Sequence, residues 1–456
     1  DKAIGLRISA DDYLTEQAGG LGVEGLSRVA SEACSTGYLD YLTHSAGARS
    51  AHYARSIANY YGESGALLPL TDSLKKVSAG LPVIAVGKIL TPTHAEEILQ
   101  SGRADLVAMT RAQIADPDMV VKYMSGSEGR IRPCVGANTG CVDRMSASLP
   151  ITCFHNPEVG REATHAELIP VKSSRKVLVV GAGPAGLKAA EIASKRGHKV
   201  TVFDRASEPG GRLRWVRKLG KPEKMLGAVD WLVSELEILG VKVQLGAEVA
   251  KSLISAIAPD TVVLATGASG SGLDVSSDGS IPIYTEDQAM TEDVGGRVLF
   301  VDLLGYQQQS FVAEYLCSIG AILTMATPFP QVGPNIGFTH IRVSDELPGL
   351  FIHHSPSVLF RCPSICTFEP PIAPHIQFLG PSVQISSSGI GGPPNLINDD
   401  TEINILESSP SHVPLPVIIT FSPVSRYCSL APGISILILV FLHQSDIQPY
   451  YYLRNE

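Results

Sequence analysis

The segment that most constrains the fold is VLVVGAGPAGLKAAEIASKRGHKVTVFD, residues 177–204. An apolar strand runs into Gly181-x-Gly183-x-x-Gly186, a helix follows, and a second strand ends in Asp204, eighteen residues after Gly186. Gly181 permits the tight turn, Gly183 lets a pyrophosphate approach the backbone, and Gly186 allows close helix–strand packing. The helix N-terminus offers free N–H groups to phosphate, and the acid accepts the ribose hydroxyls. The pattern predicts a Rossmann-like domain that binds FAD or another ADP-containing dinucleotide.

Later segments extend this prediction. EPGGRLRW (208–215), which contains Gly211, and VVLATGA (262–268) are typical of flavin enzymes with two dinucleotide domains. A simple NAD-dependent dehydrogenase remains an alternative. A third unit, VLFVDLLGYQQQSFVAEYLCSIGA (298–321), has a strand, a turn and a helix, but only Gly305 remains in its turn. It is either a nicotinamide-binding half or a packed βαβ layer, because the triple glycine is missing.

Residues 1–125 alternate strand-like and helix-like segments, which is typical of βαβ units around a parallel sheet. The predicted strands are 3–9, 39–47, 81–89 and 104–112, and the predicted helices are 21–37, 68–80 and 91–104. A closed (β/α)8 barrel needs eight strands and about 250 residues. We therefore expect an α/β chain that begins with the C-terminal half of such a barrel.

In such barrels the active site lies where the strands end, and loops after the last strands often bind phosphate. Arg7 lies on the first strand, Gly87 and Lys88 follow the third, and Thr110 and Arg111 follow the fourth. The last four are candidates for a phosphate site. His44, in YLTHSAG, is either a substrate contact or a hydrogen-bonded structural histidine.

The third candidate site is RPCVGANTGCVDR (132–144). Its spacing, Cys134-x6-Cys141-x11-Cys153, gives three thiols in a Gly-rich segment. Iron–sulfur clusters are usually held by four cysteines, and a fourth at Ala137 would complete the set. Tetrahedral zinc would also need a fourth ligand, for which His155 is nearby. Three thiols without metal are the third alternative.

Composition excludes several classes. A net charge of −9 argues against nucleic acid, whose phosphates require clustered Lys and Arg. No leader is recognisable at residue 1, and GISILILVFL (433–442) is too short to span a bilayer. We therefore expect a cytoplasmic protein that does not enter membranes and acts on a small molecule and a nicotinamide nucleotide. Association into a homo-oligomer is left open.

The amino-acid composition changes after residue 341. The remaining segment holds 15 of the 31 prolines and no lysine, so regular α/β structure is not expected there. We accordingly divide the chain into five parts. They are a half barrel (1–125), a cysteine linker (126–172), an FAD (or ADP) domain (173–290), a partial NAD(P) unit (291–341) and a Pro/Ser-rich tail (342–456).

In this order, the segments quoted above resemble the NADH:flavin oxidoreductases that contain flavin and iron–sulfur centres, such as 2,4-dienoyl-CoA reductase and trimethylamine dehydrogenase. N-methyl amine demethylases are the most similar branch. PFPQVGPNIGFTHI (328–341) also resembles the family. The resemblance implies FMN in the barrel, a [4Fe–4S] cluster, FAD, and electron transfer from NAD(P)H to an enone, or from an N-methylated amine in the opposite direction.

By position, the resemblance assigns Arg7 to the flavin ring and Gly87, Lys88, Thr110 and Arg111 to the FMN phosphate. Thr110 stands where the family has glycine. Cys134, Cys141 and Cys153 match three cluster ligands, and the glycine fingerprint with Asp204 matches the FAD site.

Three features depart from the family. The half of the barrel with the catalytic His or Tyr pair is missing, Ala137 replaces a cluster ligand, and the pattern stops after Ile341. A shifted reading frame or a misjoined exon would explain the tail. An alternative hypothesis is therefore a non-catalytic, pseudogene-like product.

Overall fold

The structure is a computed structural model. It describes residues 2–48, 53–165, 167–268, 280–327, 329 and 332–340, and the backbone of strand segments at 275–276, 360–361, 415–421, 428–429 and 434–440. The tail predicted over 342–456 lies outside the described residues except for four of those strands. The chain divides into two compact units: Asp1–Gly267 with Gly337–Val343, and Ala268–Ile336 with Ser344–Glu456.

In the first unit the strands are Gly5–Ser9 (β1), Tyr41–Ser45 (β2), Val83–Ala85 (β3), Leu106–Val107 (β4), Lys176–Val180 (β5), Lys199–Phe203 (β6), Lys242–Gln244 (β7) and Thr261–Leu264 (β8). Its α-helices are Gly22–Ser35 (α1), Tyr53–Ser56 (α2), Leu68–Val77 (α3), Pro92–Gln100 (α4), Thr110–Ala115 (α5), Met119–Met124 (α6), Val142–Ser146 (α7), Glu162–His165 (α8), Pro184–Lys195 (α9), Gly227–Ile238 (α10) and Lys251–Ile257 (α11). Short 3₁₀ helices lie at Glu16–Ala18, Glu128–Arg130, Gly211–Leu219, Lys221–Leu226 and Phe338–His340.

The predicted half barrel is an all-parallel sheet in the order β1-β2-β3-β4. Leu42 pairs with Val83, and Ala85 with Val107. Leu42, Val83 and Ala85 are fully buried, because helices cover such a sheet. At about 1.5–3 kcal/mol for each large apolar side chain, this burial is the main force that holds the helices on the sheet.

Local sequence signals mark the start of helix α4. The Thr91 hydroxyl accepts a hydrogen bond from the backbone N–H of His94, so it caps α4, with Pro92 in the first turn. The strand predicted over 104–112 is wrong beyond Val107, since Thr110 already begins α5. A short apolar run does not by itself distinguish a strand from a helix.

The Rossmann-like sheet has the parallel order β7-β6-β5-β8. Leu178, Val179 and Val202 are at most 1% exposed, as expected for central strands covered on both faces. Helix α9 follows the glycine fingerprint and packs against α10. The predicted strand–turn–helix–strand order is confirmed.

The second unit contains Val275–Ser276 (β9), Tyr284–Thr285 (β10), Arg297–Val301 (β11), Ile322–Ala326 (β12), Phe360–Arg361 (β13), Leu415–Phe421 (β14), Cys428–Ser429 (β15) and Ile434–Val440 (β16), with helices Glu286–Thr291 (α12) and Gln307–Ser318 (α13). β11 pairs in parallel with β12 and with β14. The β11–α13–β12 unit is the third βαβ unit expected from the sequence. In the part of the chain that the structure describes, no helix has the length and apolarity needed to cross a bilayer.

Candidate redox and nucleotide sites

The three cysteines line one small cavity of the first unit. Cys134, Cys141 and Cys153 share its wall with Ala137, so the position that lacks a thiol faces the same space. Cys141 is the residue before α7, and Cys153 follows the turn after that helix. Burial raises the pKa of the Cys134 and Cys141 thiols, and the positive charge of Arg111 opposes this effect. The sequence prediction that these thiols belong together is consistent with this arrangement.

Residues 130–155, which we call the cysteine segment, contain glycines that allow the chain to pass close to other backbone. Gly136 has φ 71°, and a Cβ placed on it would lie 3.2 Å from the Tyr60 nitrogen. A Cβ on Gly140 would lie 3.0 Å from the Thr152 carbonyl oxygen. Each glycine therefore has a steric reason to be there.

Two cations from the barrel half lie beneath this segment. Nη1 of Arg111 donates to the Ala58 carbonyl oxygen at 2.8 Å and to Asn138 Oδ1 at 2.6 Å. These contacts use two of its five N–H donors, so capacity for a phosphate remains. Lys88 Nζ donates to the carbonyl oxygens of Asn59 and Gly62, at 2.6 and 2.5 Å.

Lys88 is 6% exposed. Its burial, together with the charges of Lys224 and Arg111, lowers the pKa of Lys88 to about 8. Gly87, just before it, has φ 112°, and a Cβ there would meet the Leu67 side chain. The turn at Gly87 therefore requires glycine, but the Lys88 ammonium group donates its hydrogen bonds to backbone carbonyl oxygens.

Residues 337–340, which we call the return segment, lie against the cysteine segment of the same unit. His340 Nε2 donates to the Ala137 carbonyl oxygen at 2.8 Å, and His340 Nδ1 is 3.0 Å from Asn59 Nδ2. The Thr339 hydroxyl donates to Asp143 Oδ1 at 3.0 Å. Burial lowers the pKa of His340, although the nearby Asp143 carboxylate raises it.

On the other side, the cysteine segment meets the Rossmann-like domain through Trp231 of α10. The His155 ring stands edge-to-face on the Trp231 ring, with centroids 5.0 Å apart. Arg132 and Lys188 lie 5.3 and 5.4 Å from the Trp231 ring centre. Burial, with the charges of Lys188 and Arg132, lowers the pKa of His155 to about 3.

Carboxylates balance these cations. Glu191 is fully buried and pairs with Lys188 and, at 2.7 Å, with Lys195. Glu235 is 3% exposed and pairs with Arg130 at 2.6 Å. We call these pairs, together with Arg132 and His155 around the Trp231 ring, the Trp231 cluster. Its two carboxylates are buried, and each depends on cationic partners for its charge.

A single metal ion does not fit the cavity. Among the described residues, no three His, Cys, Asp or Glu side chains converge as one ion requires. The zinc alternative is therefore not supported. A cuboidal iron–sulfur cluster takes one ligand on each iron, so its ligands stand around a cavity, as the three cysteines do here.

The remaining barrel candidates do not line the cysteine cavity. Arg7 is exposed on β1, where it pairs in register with Thr43. Thr110 is exposed at the start of α5. His44 is fully buried, its Nε2 is 2.8 Å from the Thr71 hydroxyl, and burial lowers its pKa to about 4. His44 is thus placed as a structural histidine, the second of the two interpretations above.

The glycine fingerprint has the geometry that its spacing predicts. A Cβ on Gly181, φ 111°, or on Gly186 would overlap backbone carbonyl atoms of Ala265 or Gly181. A Cβ on Gly183 would lie 3.8 Å from the Gly211 Cα, and one on Gly211 would lie 3.3 Å from the Gly183 Cα, so the two glycine backbones lie close together. A dinucleotide could approach the backbone there.

Asp204 directly follows β6 beside this turn. Its Oδ2 accepts from the Ala182 N–H at 2.6 Å, and its Oδ1 accepts from the Ala206 N–H at 2.7 Å. Each carboxylate oxygen keeps a second lone pair that can accept a ribose hydroxyl. The acid thus stabilises the turn, and its contact with a ribose stays a prediction.

In the second unit, the turn at Gly305 is closed by protein groups. Asp302 Oδ1 accepts from the N–H groups of Leu304 and Gly305 at 2.9 and 2.7 Å. Asn335 donates its side-chain amide to the Leu304 carbonyl oxygen at 2.7 Å. These contacts stabilise the Gly305 turn, and both interpretations of this unit stay predictions.

Sequence reasoning missed the residues that support the cysteine segment from a distance: Asn59, Asn138, Trp231, Thr339 and His340. Asn138 lies within the quoted cysteine segment and is the one residue that a local pattern could have suggested. The others contact that segment through tertiary packing.

Comparison with known proteins agrees with this organisation. Residues 1–129 match the model of the NADH:flavin oxidoreductase / NADH oxidase family, and residues 179–228 match that of an NAD(P)-binding Rossmann-like domain. The N,N-dimethylglycine/sarcosine dehydrogenase of Chromohalobacter salexigens is 33% identical over 352 residues, which is 74% of this chain and 50% of that protein. A probable N-methylproline demethylase of Rhizobium meliloti is 36% identical over 267 residues, 57% of this chain and 39% of that protein.

Among solved structures, the 6-hydroxypseudooxynicotine amine oxidase of Pseudomonas geniculata N1 matches with a TM-score of 0.64 and 27% identity. The match covers 75% of this chain and 52% of that one. The chain therefore spans about half the length, or less, of the relatives described here.

Proposed function

We propose that the chain is the electron-transferring part of a flavin-dependent oxidoreductase. The premise is that residues 1–129 belong to the NADH:flavin oxidoreductase / NADH oxidase family and that residues 179–228 are an NAD(P)-binding Rossmann-like domain. Its cofactors would be FMN, FAD and an iron–sulfur cluster, with NAD(P)H as the nucleotide partner. The observation that carries the proposal is that Cys134, Cys141 and Cys153 share one cavity in the unit that also contains the family segment and the glycine fingerprint.

Bound flavins and an iron–sulfur cluster supply hydride and single-electron chemistry, while the protein provides binding, orientation and electrostatics. The cysteine thiolates would hold iron, and Arg111 lowers the cost of their negative charge. Arg7 would stabilise negative charge on a flavin ring beside β1. Gly183 and Gly211 leave the backbone accessible to a pyrophosphate, and the N-terminus of α9 favours its charge.

For the substrate we propose an N-methylated amine, which would lose a hydride from the methyl carbon. The relatives named for dimethylglycine, sarcosine and N-methylproline support this choice. An enone reduced in the opposite direction is the alternative.

The test is cofactor analysis of the purified full chain, by visible spectroscopy with separate assays of flavin and iron. We expect flavin absorption with a broad iron–sulfur shoulder, and bleaching when NADH or NADPH is added without air. A folded but colourless protein that binds neither flavin nor iron after reconstitution would overturn the proposal.

That last result would instead support the second candidate, a non-catalytic product. Two observations favour this alternative: Ala137 occupies a ligand position, and Lys88, expected at a phosphate, is bonded to backbone carbonyls. Flavin content distinguishes the two candidates, since a protein without redox function has no reason to retain FMN or FAD.

A further inference from the structure

The cysteine cavity contains one side chain that the proposed ligand set does not use. His155, two residues after Cys153, lines the cavity together with the three cysteines and Ala137. It is 5% exposed, and its ring is held edge-to-face against Trp231. Its Nδ1 lies 3.3 Å from the Pro133 carbonyl oxygen, and its Nε2 is buried with no hydrogen-bond partner among the described residues.

These contacts define which nitrogen is available. A carbonyl oxygen only accepts, so Nδ1 carries the hydrogen and donates it to Pro133. The lone pair is then on Nε2, and leaving such a buried acceptor unsatisfied costs about 1–3 kcal/mol. Histidines that bind metals have this arrangement, in which one ring nitrogen bonds a carbonyl or carboxylate and the other coordinates the metal.

Two other polar side chains near Ala137, those of His340 and Asp143, do not line the cavity. His340 uses both ring nitrogens, on the Ala137 carbonyl and on Asn59. Asp143 Oδ1 accepts from the Thr339 hydroxyl, while its Oδ2 is buried without a hydrogen-bond partner among the described residues, 3.7 Å from His340 Nε2. Among these three side chains, only His155 both lines the cavity and carries a buried ring nitrogen without a hydrogen-bond partner.

We propose that His155 Nε2 is the fourth protein ligand of the iron–sulfur site, so that Cys134, Cys141, Cys153 and His155 together hold a [4Fe–4S] cluster. This inference rests on the proposed function, since it assumes that the cysteines bind a cluster. A neutral imidazole in place of a thiolate makes the site one charge less negative. Lower negative charge raises the reduction potential of a cluster, as histidine ligation does in other iron–sulfur centres.

The experiment is anaerobic reconstitution of the full chain with ferrous iron and sulfide, followed by iron analysis and electron paramagnetic resonance. The parent should bind about four irons per chain and give the signal of a reduced four-iron cluster. His155→Ala should fall to about three irons and give a three-iron signal when oxidised. His165→Ala, which removes an exposed histidine of α8, is the matched control and should behave as the parent.

A second variant separates ligand loss from misfolding. Ala137 faces the same cavity, so Ala137→Cys combined with His155→Ala should restore the four-iron signal. His155→Cys should also keep four irons, with a reduction potential below that of the parent.

The possible failures are distinguishable. If His155→Ala keeps four irons and the parent signal, His155 is not a ligand, although the cluster and the proposed function stand. If the single variant loses iron and the double variant does not recover it, His155 has a structural role and the inference is wrong. A parent that takes up no iron overturns both the inference and the cluster.

Discussion

His340 Nε2 donates a hydrogen bond of 2.8 Å to the carbonyl oxygen of Ala137, so the return segment is tied to the one cavity position that lacks a thiol. The same ring accepts from Asn59 through Nδ1, which fixes its tautomer. The shape of the cysteine segment thus depends on a residue about 200 positions further along the chain.

His340→Ala should therefore destabilise the first unit. The change leaves the buried Ala137 carbonyl without this donor, at a cost of about 1–3 kcal/mol. The urea midpoint of the parent and the variant measures this cost. His165→Ala, an exposed change, should alter the free energy of unfolding by less than about 0.5 kcal/mol. Equal midpoints for the two variants would contradict the role assigned to His340.

His44 should make the stability depend on pH. Its pKa is about 4 in the folded protein and near 6.5 when unfolded, so the unfolded chain binds the extra proton between these values. Stability is then complete above about pH 6.5 and falls as the pH drops towards 4. Between pH 7 and pH 5 we expect a loss of about 2 kcal/mol.

His44→Gln is the matching variant, because glutamine can still hydrogen-bond the Thr71 hydroxyl but does not titrate. The difference between its unfolding free energies at pH 7 and pH 5 should be smaller than that of the parent by the same amount. An unchanged difference would mean that other groups cause the acid sensitivity.

Lys88→Met tests whether this lysine supports the backbone or binds phosphate. Because Nζ donates to two carbonyls, we expect a loss of about 2–3 kcal/mol in the free energy of unfolding of the protein without cofactor. Lys76→Met, which changes an exposed lysine, is the control. A lower FMN content with an unchanged urea midpoint would show that Lys88 serves the phosphate instead.

Glu191→Gln should be among the most damaging single changes in the Rossmann-like domain. It leaves Lys188, which is 9% exposed, without its main counter-charge, and removal of one partner from a buried ion pair costs about 3–5 kcal/mol. Glu208 also pairs with an arginine, but its side chain is 54% exposed. Glu208→Gln should cost less than about 1 kcal/mol, and similar thermal midpoints for the two variants would refute the argument.

Two glycine variants separate folding from nucleotide binding. At Gly186 a Cβ would overlap the Gly181 carbonyl, so Gly186→Ala should lower the thermal midpoint, by about 1–3 kcal/mol in stability. At Gly183 the Cβ has room, with φ −75°, so Gly183→Ala should fold normally. Its affinity for FAD should nevertheless fall about tenfold, or about 1.4 kcal/mol, since the methyl group would cover the backbone that the pyrophosphate is proposed to approach. Calorimetric titration with FAD checks this, and an unchanged affinity would place the dinucleotide elsewhere.

The sequence predicted the elements well where the signal is local. Alternating apolar segments predicted the parallel strands, and Thr91 and Pro92 stand where α4 begins. The glycine fingerprint predicted its turn correctly, although the atoms that a Cβ would meet at Gly181 and Gly183 belong to Ala265 and Gly211, far along the chain. The strand over 104–112 was wrong at its end, where apolar periodicity does not decide between strand and helix.

The supporting contacts of the site could not be predicted in this way. Asn59, Trp231 and His340 reach the cysteine segment across long sequence separations, and only tertiary packing brings them there. The orientation of a side chain is likewise not encoded in spacing: Lys88 occupies the expected position but bonds the carbonyls of Asn59 and Gly62. The assignments of FMN and FAD contacts to individual residues stay predictions.

The Trp231 cluster also has a mechanical consequence. The ion pair Arg130–Glu235 and the edge-to-face contact between His155 and Trp231 join the cysteine segment to α10 at separate points. Moving this segment away from α10 would separate Arg130 from the buried carboxylate of Glu235. If the cysteines hold the proposed cluster, these contacts would set its distance from the proposed dinucleotide site when the protein folds.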